Sequence, residues 1–377
     1  LNAIVGNVFE PNGCLSAASP EASGVALGKP PQPAYPRVTA PRLDGVPWKY
    51  PLVPLKLGVF QELRDAILTG QPYPAHGWFI ARQNPVLSLP DRRRTLEALN
   101  RLDFIAVVDI LPNDTAWYAD VILPEVSYLE RYDPLAVVEG KVFLRQPVIE
   151  PQGQSRSALW IYKQLGERLG LADYFQYADE EDYLRQQMAP LGLDLAALKQ
   201  RGFVQRPADP SHQTADFSFN TPSGKIEVYS ETLAKAGFSP WPTWEEPPAP
   251  SSEEFYLLTG KVGQHTQTAT QNNLFLHEVE DPPRLWLHPR PAKERGLSNG
   301  DRVRVSSRVG HVVVEAQVTE GIRPDCTYLT GGYGHASKGL RTAFAQGASD
   351  SDLHETFTDP ISGGQALTQT FVRVEKA

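Results

Sequence analysis

The stretch TGKVGQHTQTATQNN, residues 259–273, gathers residue types that hold an anion. Gly260 and Gly263 permit close backbone approach, Lys261 can neutralise a phosphate, and Thr259, Thr266 and Thr268 supply hydroxyl donors. The run contains no acidic residue, in a chain of formal net charge -8. It is not a Walker A loop, because Val262 follows Lys261 where that loop requires Lys-Ser or Lys-Thr, and it is not a G-x-G-x-x-G fingerprint. Two readings of the local chemistry stay open: a loop around a phosphate-bearing ligand and a solvated surface hairpin.

A second stretch, GGYGHASKGLRTAF at 331–344, sets Tyr333, His335 and Lys338 among glycines. A histidine there can transfer a proton if it faces a cleft, and is otherwise a surface residue. TDPISGG at 358–364 reads as a tight turn. There is no G-x-S-x-G elbow, no H-E-x-x-H and no cysteine beside a base, and the eight histidines are dispersed. Two cysteines, Cys14 and Cys326, exclude a disulfide framework, and also an iron–sulfur or zinc site built from this chain's thiols alone.

Elements must position these groups. From Gly77, apolar runs alternate with helical patterns: WFIARQNP, TLEALNRL, FIAVVDI and ADVILPE. Continuous β-branched runs around an amphipathic helix predict parallel strands buried on both faces, in an open α/β sheet whose ligands gather at the strands' carboxyl ends. Two runs end on polar residues, Asn84 and Asp109, each a candidate ligand contact or a structural cap. The basic triplet Arg92, Arg93 and Arg94 predicts the solvated first turn of the intervening helix. Residues 156–204 carry helical spacing, with Gly170 near the end of SALWIYKQLGERLGL, and FSFNTPSGKIEVYS predicts a turn between strands. The proline-rich stretch 239–254 predicts an extended linker. Beyond it, EFYLLTG, RLWLHP, DRVRVSSR, GHVVVEAQV, CTYLTGG and TFVRVEK predict short strands of a closed or partly closed antiparallel barrel. The expected organisation is an α/β domain at 1–155, a mixed helical and strand segment at 156–238, the linker at 239–254 and a β-barrel domain at 255–377.

The bulk composition bounds the function. A chain of 377 residues with 41% hydrophobic residues can bury the cores of two or three domains, and its 34 prolines and 29 glycines predict long ordered loops. No segment approaches 18 consecutive apolar residues, as a membrane-spanning helix would need. The acidic balance lacks the broad basic field of a nucleic-acid binder.

Several stretches together resemble the catalytic subunits of the molybdopterin oxidoreductases, the dimethyl-sulfoxide-reductase superfamily: LNAIVGN at 1–7, ARQNP at 81–85, VVDILPNDTAWYADVILPEVSYLER at 107–131, FNTPSGKIEVYS, TGKVGQHTQT, LSNGDRVRVSS and TDPISGG. They follow the family's order over nearly the whole chain. EGKVFLRQPVIEP, GGYGH, GASDSDLHE and DPISGG look most like polysulfide and thiosulfate reductase subunits. The resemblance implies an α/β fold followed by a double-psi-type β-barrel. It also implies that Leu1 is mid-chain: a cysteine cluster for a [4Fe–4S] centre and the molybdenum ligand would lie upstream, and Cys14 does not match that ligand position. The chain would then be the carboxy-terminal half of a catalytic subunit.

Carried over residue by residue, the resemblance places Asn84 and Asp109 at strand ends that contact one molybdopterin guanine dinucleotide. It makes Thr259, Gly260, Lys261, Val262, Gly263, Gln264, His265, Thr266 and Thr268 the loop around pterin and phosphates. Ser351 stands where relatives often carry Asn, and Thr368 and Gln369 lie near a late contact where some carry Lys. Tyr333 and His335 fall where a chain approaches the substrate funnel, which makes them candidate catalytic residues. The cofactor implied is molybdenum bis(molybdopterin guanine dinucleotide), performing the two-electron reduction of polysulfide or thiosulfate in an anaerobic respiratory complex. The implied partners are a ferredoxin-like iron–sulfur subunit and a quinol-reactive membrane subunit, in the periplasm. Tetrathionate, arsenic-compound, nitrate and formate enzymes share much of the pattern. So does a scaffold that keeps the fold without the molybdenum cofactor, as in the large iron–sulfur subunit of respiratory complex I.

Overall fold

The computed structural model describes residues 2–7, 27–138, 141–205, 221–279 and 283–377. Leu1, Cys14, the Glu139–Gly140 pair and the FSFN run at 217–220, which carry parts of the motifs above, lie outside them. Along the chain the first elements are helix α1 (Phe60–Thr69), strand β1 (Gly77–Ala81), helices α2 (Pro85–Ser88) and α3 (Arg92–Leu99), and strands β2 (Phe104–Asp109) and β3 (Val121–Pro124). β1 and β2 pair in parallel from Gly77 opposite Phe104 to Ala81 opposite Val108, and the sheet order is β1-β2-β3. Ile105, Ala106, Val107 and Val108 are successively buried, so β2 is covered on both faces as its unbroken apolar run predicts. The Asp91 side chain caps α3 by accepting from Arg94 N. Arg93 is solvated as expected, but Arg92 is not: its guanidinium donates to the Gly334 carbonyl at 3.3 Å and faces Asp352 at 3.5 Å.

The next stretch is small strands and helices: β4 (Ala136–Val138), β5 (Lys141–Phe143), α4 (Ala158–Arg168), α5 (Glu180–Met188), α6 (Leu195–Arg201) and β6 (Phe203–Gln205). Ser157, Asp179 and Asp194 cap the three helices, and Gly202, at φ +75°, ends the last. Leu184, Met188, Leu195 and Leu198 pack on Val142 and Leu144 to form the core of this part. After the turn at 221–224 the run KIEVYS forms no strand, contrary to expectation. Ile226, Val228 and Tyr229 are exposed, so nothing rewards their β-branched pattern with burial.

All six strands expected beyond the linker form, as β7 (Phe255–Gly260), β8 (Leu285–Leu287), β9 (Arg302–Ser306), β10 (His311–Val318), β11 (Cys326–Thr330) and β12 (Phe371–Lys376). They close into one barrel in the order β10-β8-β11-β7-β12-β9. β9, β10 and β12 alternate buried and exposed residues, the period of a strand with one dry face, and Leu257, Leu285, Val303, Val305, Leu329 and Val372 fill the interior. The barrel is not wholly antiparallel: β7 runs parallel to β11 and β8 parallel to β10, as the double-psi-type expectation allows. The parallel pairs join strands that are far apart along the chain, whereas β9 and β10 are linked by the short turn at 307–310 and pair antiparallel.

The chain divides into two compact units, Leu1–Arg37 with Pro124–Thr243 and Val38–Leu123 with Trp244–Ala377. This division differs from the expected segments, which kept 1–155 together and the barrel apart. Past Pro124 the backbone turns to the helical part, Val126 N donating to Arg156 O at 3.1 Å, whereas residues before it are tied to barrel loops. Stretch 239–254 contains no helix or strand. No helix among the described residues is long and apolar enough to cross a membrane.

Candidate functional site

A cleft of about 630 Å³ opens in the second unit, where the carboxyl end of β1 meets the barrel loops. Its size falls in the range of about 300–1,000 Å³ common to small-molecule and cofactor sites. One wall is Arg82, Gln83 and Asn84 with Leu87 and Ser88 of α2; the other is Thr259, Gly260 and Lys261 at the end of β7 with Thr266, Gln267 and Thr268. Gly331 and Gly332 after β11, then Asp350, Ser351, His354 and Leu367, complete it.

The geometry follows from local sequence. Arg82 takes a left-handed φ of +54°, which turns the chain off β1, and Pro85 opens α2 with its fixed φ. The 259–273 loop is not a hairpin, because β7 pairs with β11 and β12 rather than with the next strand. It is a series of turns instead, with Ala269 N donating to Thr266 O at 3.0 Å and Thr266 N to Thr270 Oγ1 at 2.8 Å. A Cβ on Gly260 would meet the Tyr328 ring at 3.1 Å, a tight contact that the ring would have to relieve. Gly263 has open space around it.

The structure sorts the remaining expected contacts. Thr259, Gly260, Lys261, Thr266 and Thr268 line the cleft, as do Asn84 and Ser351. Val262, Gly263 and Gln264 do not; His265 is buried behind the loop with its ring edge-on to Tyr333 at 5.7 Å. Asp109 also stands outside the cleft: its carboxylate caps the turn after β2, accepting from Ile110 N at 2.7 Å and Asn113 Nδ2 at 2.8 Å. Thr368 and Gln369 are exposed on a short turn from which only Leu367 reaches the cleft. The Ser351 hydroxyl donates to the Leu87 carbonyl and thereby ties the barrel segment to α2.

Behind the cleft lies a residue that the sequence reading passed over, Asp114. Four donors converge on its buried carboxylate: His335 Nδ1 at 2.6 Å, Asn84 Nδ2 at 3.0 Å, Ala336 N at 2.5 Å and Ser337 N at 3.0 Å. Burial opposes its ionisation. The hydrogen bond and charge of His335, the Asn84 amide and the Ala336 N–H outweigh that penalty and hold the carboxyl well below the usual carboxylate range. The Asn84 oxygen is also engaged, accepting from Thr115 N at 3.1 Å and Thr115 Oγ1 at 2.9 Å, so Asn84 shapes the wall while its amide bonds inward. Tyr333 and His335 are buried and line no part of the cleft, which makes His335 a strut in this network rather than a group at the cleft surface. The available signal was the packing of polar residues Asn113, Asp114 and Thr115 between two apolar runs.

The donor set fits an anionic dinucleotide. Lys261 and Arg82 supply cations, the threonines supply hydroxyls, and the bare backbone at 331–332 allows close approach. Asp350 is an acceptor on the same wall, repelling phosphate but suited to the N–H edge of a purine base.

Comparisons with known proteins agree with this chemistry. Residues 49–168 match the family described as molybdopterin oxidoreductase, and residues 255–371 match the molydopterin dinucleotide binding domain. The thiosulfate reductase molybdopterin-containing subunit of Salmonella typhimurium is 30% identical, over 96% of this chain and 53% of that protein. The F420-dependent formate dehydrogenase subunit alpha of Methanocaldococcus jannaschii is 28% identical, over 67% of this chain and 37% of its own. Among solved structures, acetylene hydratase from Pelobacter acetylenicus superposes with a TM-score of 0.75 at 22% identity, covering 85% of this chain and 47% of that one, and so shares the fold. The chain thus spans about half, or less, of the length of these relatives. With both matched regions in place and in order, the chain belongs to the molybdopterin oxidoreductase family.

Proposed function

We propose that the cleft between β1 and the β7 loop holds one pterin guanine dinucleotide of a molybdenum bis(molybdopterin guanine dinucleotide) cofactor. The whole protein, on this reading, is a molybdenum-dependent oxidoreductase acting on thiosulfate or polysulfide. The observation that carries it is the convergence of Lys261, Thr259, Thr266 and Thr268 with the Arg82–Asn84 turn on one cavity. The bound cofactor supplies two-electron redox chemistry at sulfur. Lys261 and the threonine hydroxyls neutralise and orient the pyrophosphate, and Asp350 accepts from the base. Asn84 and Asp114 keep the wall rigid from behind.

For thiosulfate the balance is two electrons and two protons in, the sulfur–sulfur bond broken, and hydrosulfide and hydrogen sulfite out. The electrons would arrive through an iron–sulfur partner from a membrane quinol, in the periplasm. Similarity to the Salmonella thiosulfate reductase subunit over 96% of the chain supports this choice of substrate.

Lys261→Ala combined with Thr266→Ala in the complete protein should lower bound molybdenum and releasable guanine nucleotide several-fold, starting from about one molybdenum per chain. Metal analysis checks it. Matured wild-type protein without molybdenum would refute the cofactor assignment, and a double variant with full occupancy would refute the loop's part in it. Thiosulfate- and polysulfide-dependent oxidation of a reduced viologen dye tests the substrate: no turnover of either, with molybdenum present, would leave the cofactor and remove the sulfur assignment.

A further inference from the structure

Asp350 is the only acid among the described residues that line the cleft, and its side chain is 15% exposed there. Two neighbours confine the carboxylate. A Cβ on Gly331 would lie 3.1 Å from Oδ2 and 3.5 Å from Oδ1, so both oxygens rest against bare backbone. On the other side His354 Nε2 stands 3.4 Å from Oδ2, a contact of charge and dipole rather than a hydrogen bond.

The histidine is itself fixed from several directions. Its N–H donates to the Asp350 carbonyl at 3.2 Å, and its carbonyl accepts from Asp91 N, the cap of α3, at 3.0 Å. Its ring is buried, with Nδ1 2.7 Å from the Thr370 hydroxyl oxygen. Thr370 is anchored in turn, its carbonyl accepting from Leu257 N of β7 at 2.9 Å. The ring therefore has a set orientation behind a carboxylate that is open to the cleft.

We propose that His354 is a positioning residue for base recognition. The Thr370 hydroxyl donates to Nδ1 and so leaves the ring proton on Nε2, which attracts Oδ2 of Asp350. With Gly331 beneath, this holds both carboxylate oxygens towards the paired N1–H and N2–H donors of guanine. The inference rests on the dinucleotide reading above. A carboxylate accepts two adjacent donors at once, whereas hypoxanthine offers only N1–H. A carboxylate free to rotate would lose part of that preference to the entropy of ordering its side chain.

The test uses the complete protein prepared without cofactor and two probes, GMP and IMP, with binding measured by calorimetry. Both carry the same phosphate, and a general loss of packing weakens both, so the ratio of their affinities reports the base edge alone. The wild type should prefer GMP by about tenfold, and Asp350→Asn should abolish the preference. His354→Leu should reduce it to about threefold, and His354→Gln, which can present an amide N–H in place of the ring N–H, should restore it. Adding His354→Leu to Asp350→Asn should change nothing further. An unchanged ratio in His354→Leu, no recovery in His354→Gln, or a His354→Leu effect that persists beside Asp350→Asn would overturn the positioning role. If His354→Leu folds poorly, Thr370→Val releases the ring from behind, and an unchanged ratio there would overturn it equally. A GMP preference absent from the wild type, or kept by Asp350→Asn, would overturn the base contact of Asp350 and this inference with it. Saturable binding of neither nucleotide would strike the dinucleotide reading of the cleft itself.

Discussion

Asp114→Ala should destabilise the second unit by about 3–5 kcal/mol, the cost of removing one partner from a buried charge network. Four donors lose their acceptor at once, those of His335, Asn84, Ala336 and Ser337. Two of them, the Ala336 and Ser337 amides, are backbone and cannot turn away. Asp114→Asn should be nearly as harmful, since it aims an NH₂ donor at groups that are themselves donors. Denaturant unfolding of the complete protein measures the loss, and a wild-type midpoint for Asp114→Ala would show that the network contributes nothing.

The same carboxylate sets an acid limit. Its native pKa is depressed, so between that value and the unfolded value of about 3.9 the unfolded chain binds a proton that the native chain refuses. Stability from this group is fully present above about pH 4 and falls as the pH drops toward the native value. The melting temperature of the wild type should decline through this window more steeply than that of Asp114→Asn. Parallel profiles would contradict the assignment.

Gly332→Ala should remove most cofactor occupancy. Gly332 sits at φ +87°, where an L side chain is strained by about 1–3 kcal/mol. Its added Cβ would also lie 2.9 Å from the Gln267 carbonyl carbon and 3.0 Å from Gln271 Nε2. Gln271 donates to that same Gln267 carbonyl, so the methyl group would force apart the turn that presents Gln267 and Thr268 to the cleft. Gly263→Ala, in a loop equally rich in glycine, meets nothing and needs no unusual φ; it should keep wild-type molybdenum. Equal occupancy in the two variants, by metal analysis, would contradict the account of the cleft floor.

Much of this fold is legible in the sequence because it is local. Two-residue alternation in HVVVEAQV and FVRVEK, and the unbroken apolar run FIAVV, give β10, β12 and β2 without knowledge of any partner. The threonine- and lysine-bearing loop after β7 is likewise recognisable by its donors alone. KIEVYS shows the limit of this reasoning: the pattern is present, but without a surface to cover it yields no strand. Strand sense is also not local. β10 alternates from His311 to Ala316 although it runs parallel to β8 and antiparallel to β9, so its pattern does not tell which neighbour it meets in which sense.

The sequence by itself determined the strands, the donor-rich loop and, through its ordered motifs, the family. Only the tertiary structure decided which polar residues form the cleft and which brace it. Asp109 and Asp114 are both acids near the end of β2, yet one caps its own turn and the other is matched to His335, 221 positions away. No spacing rule encodes that partnership. It exists because the barrel delivers buried N–H groups to a place where water cannot satisfy them, and a desolvated carboxylate there is stable only when several donors arrive together.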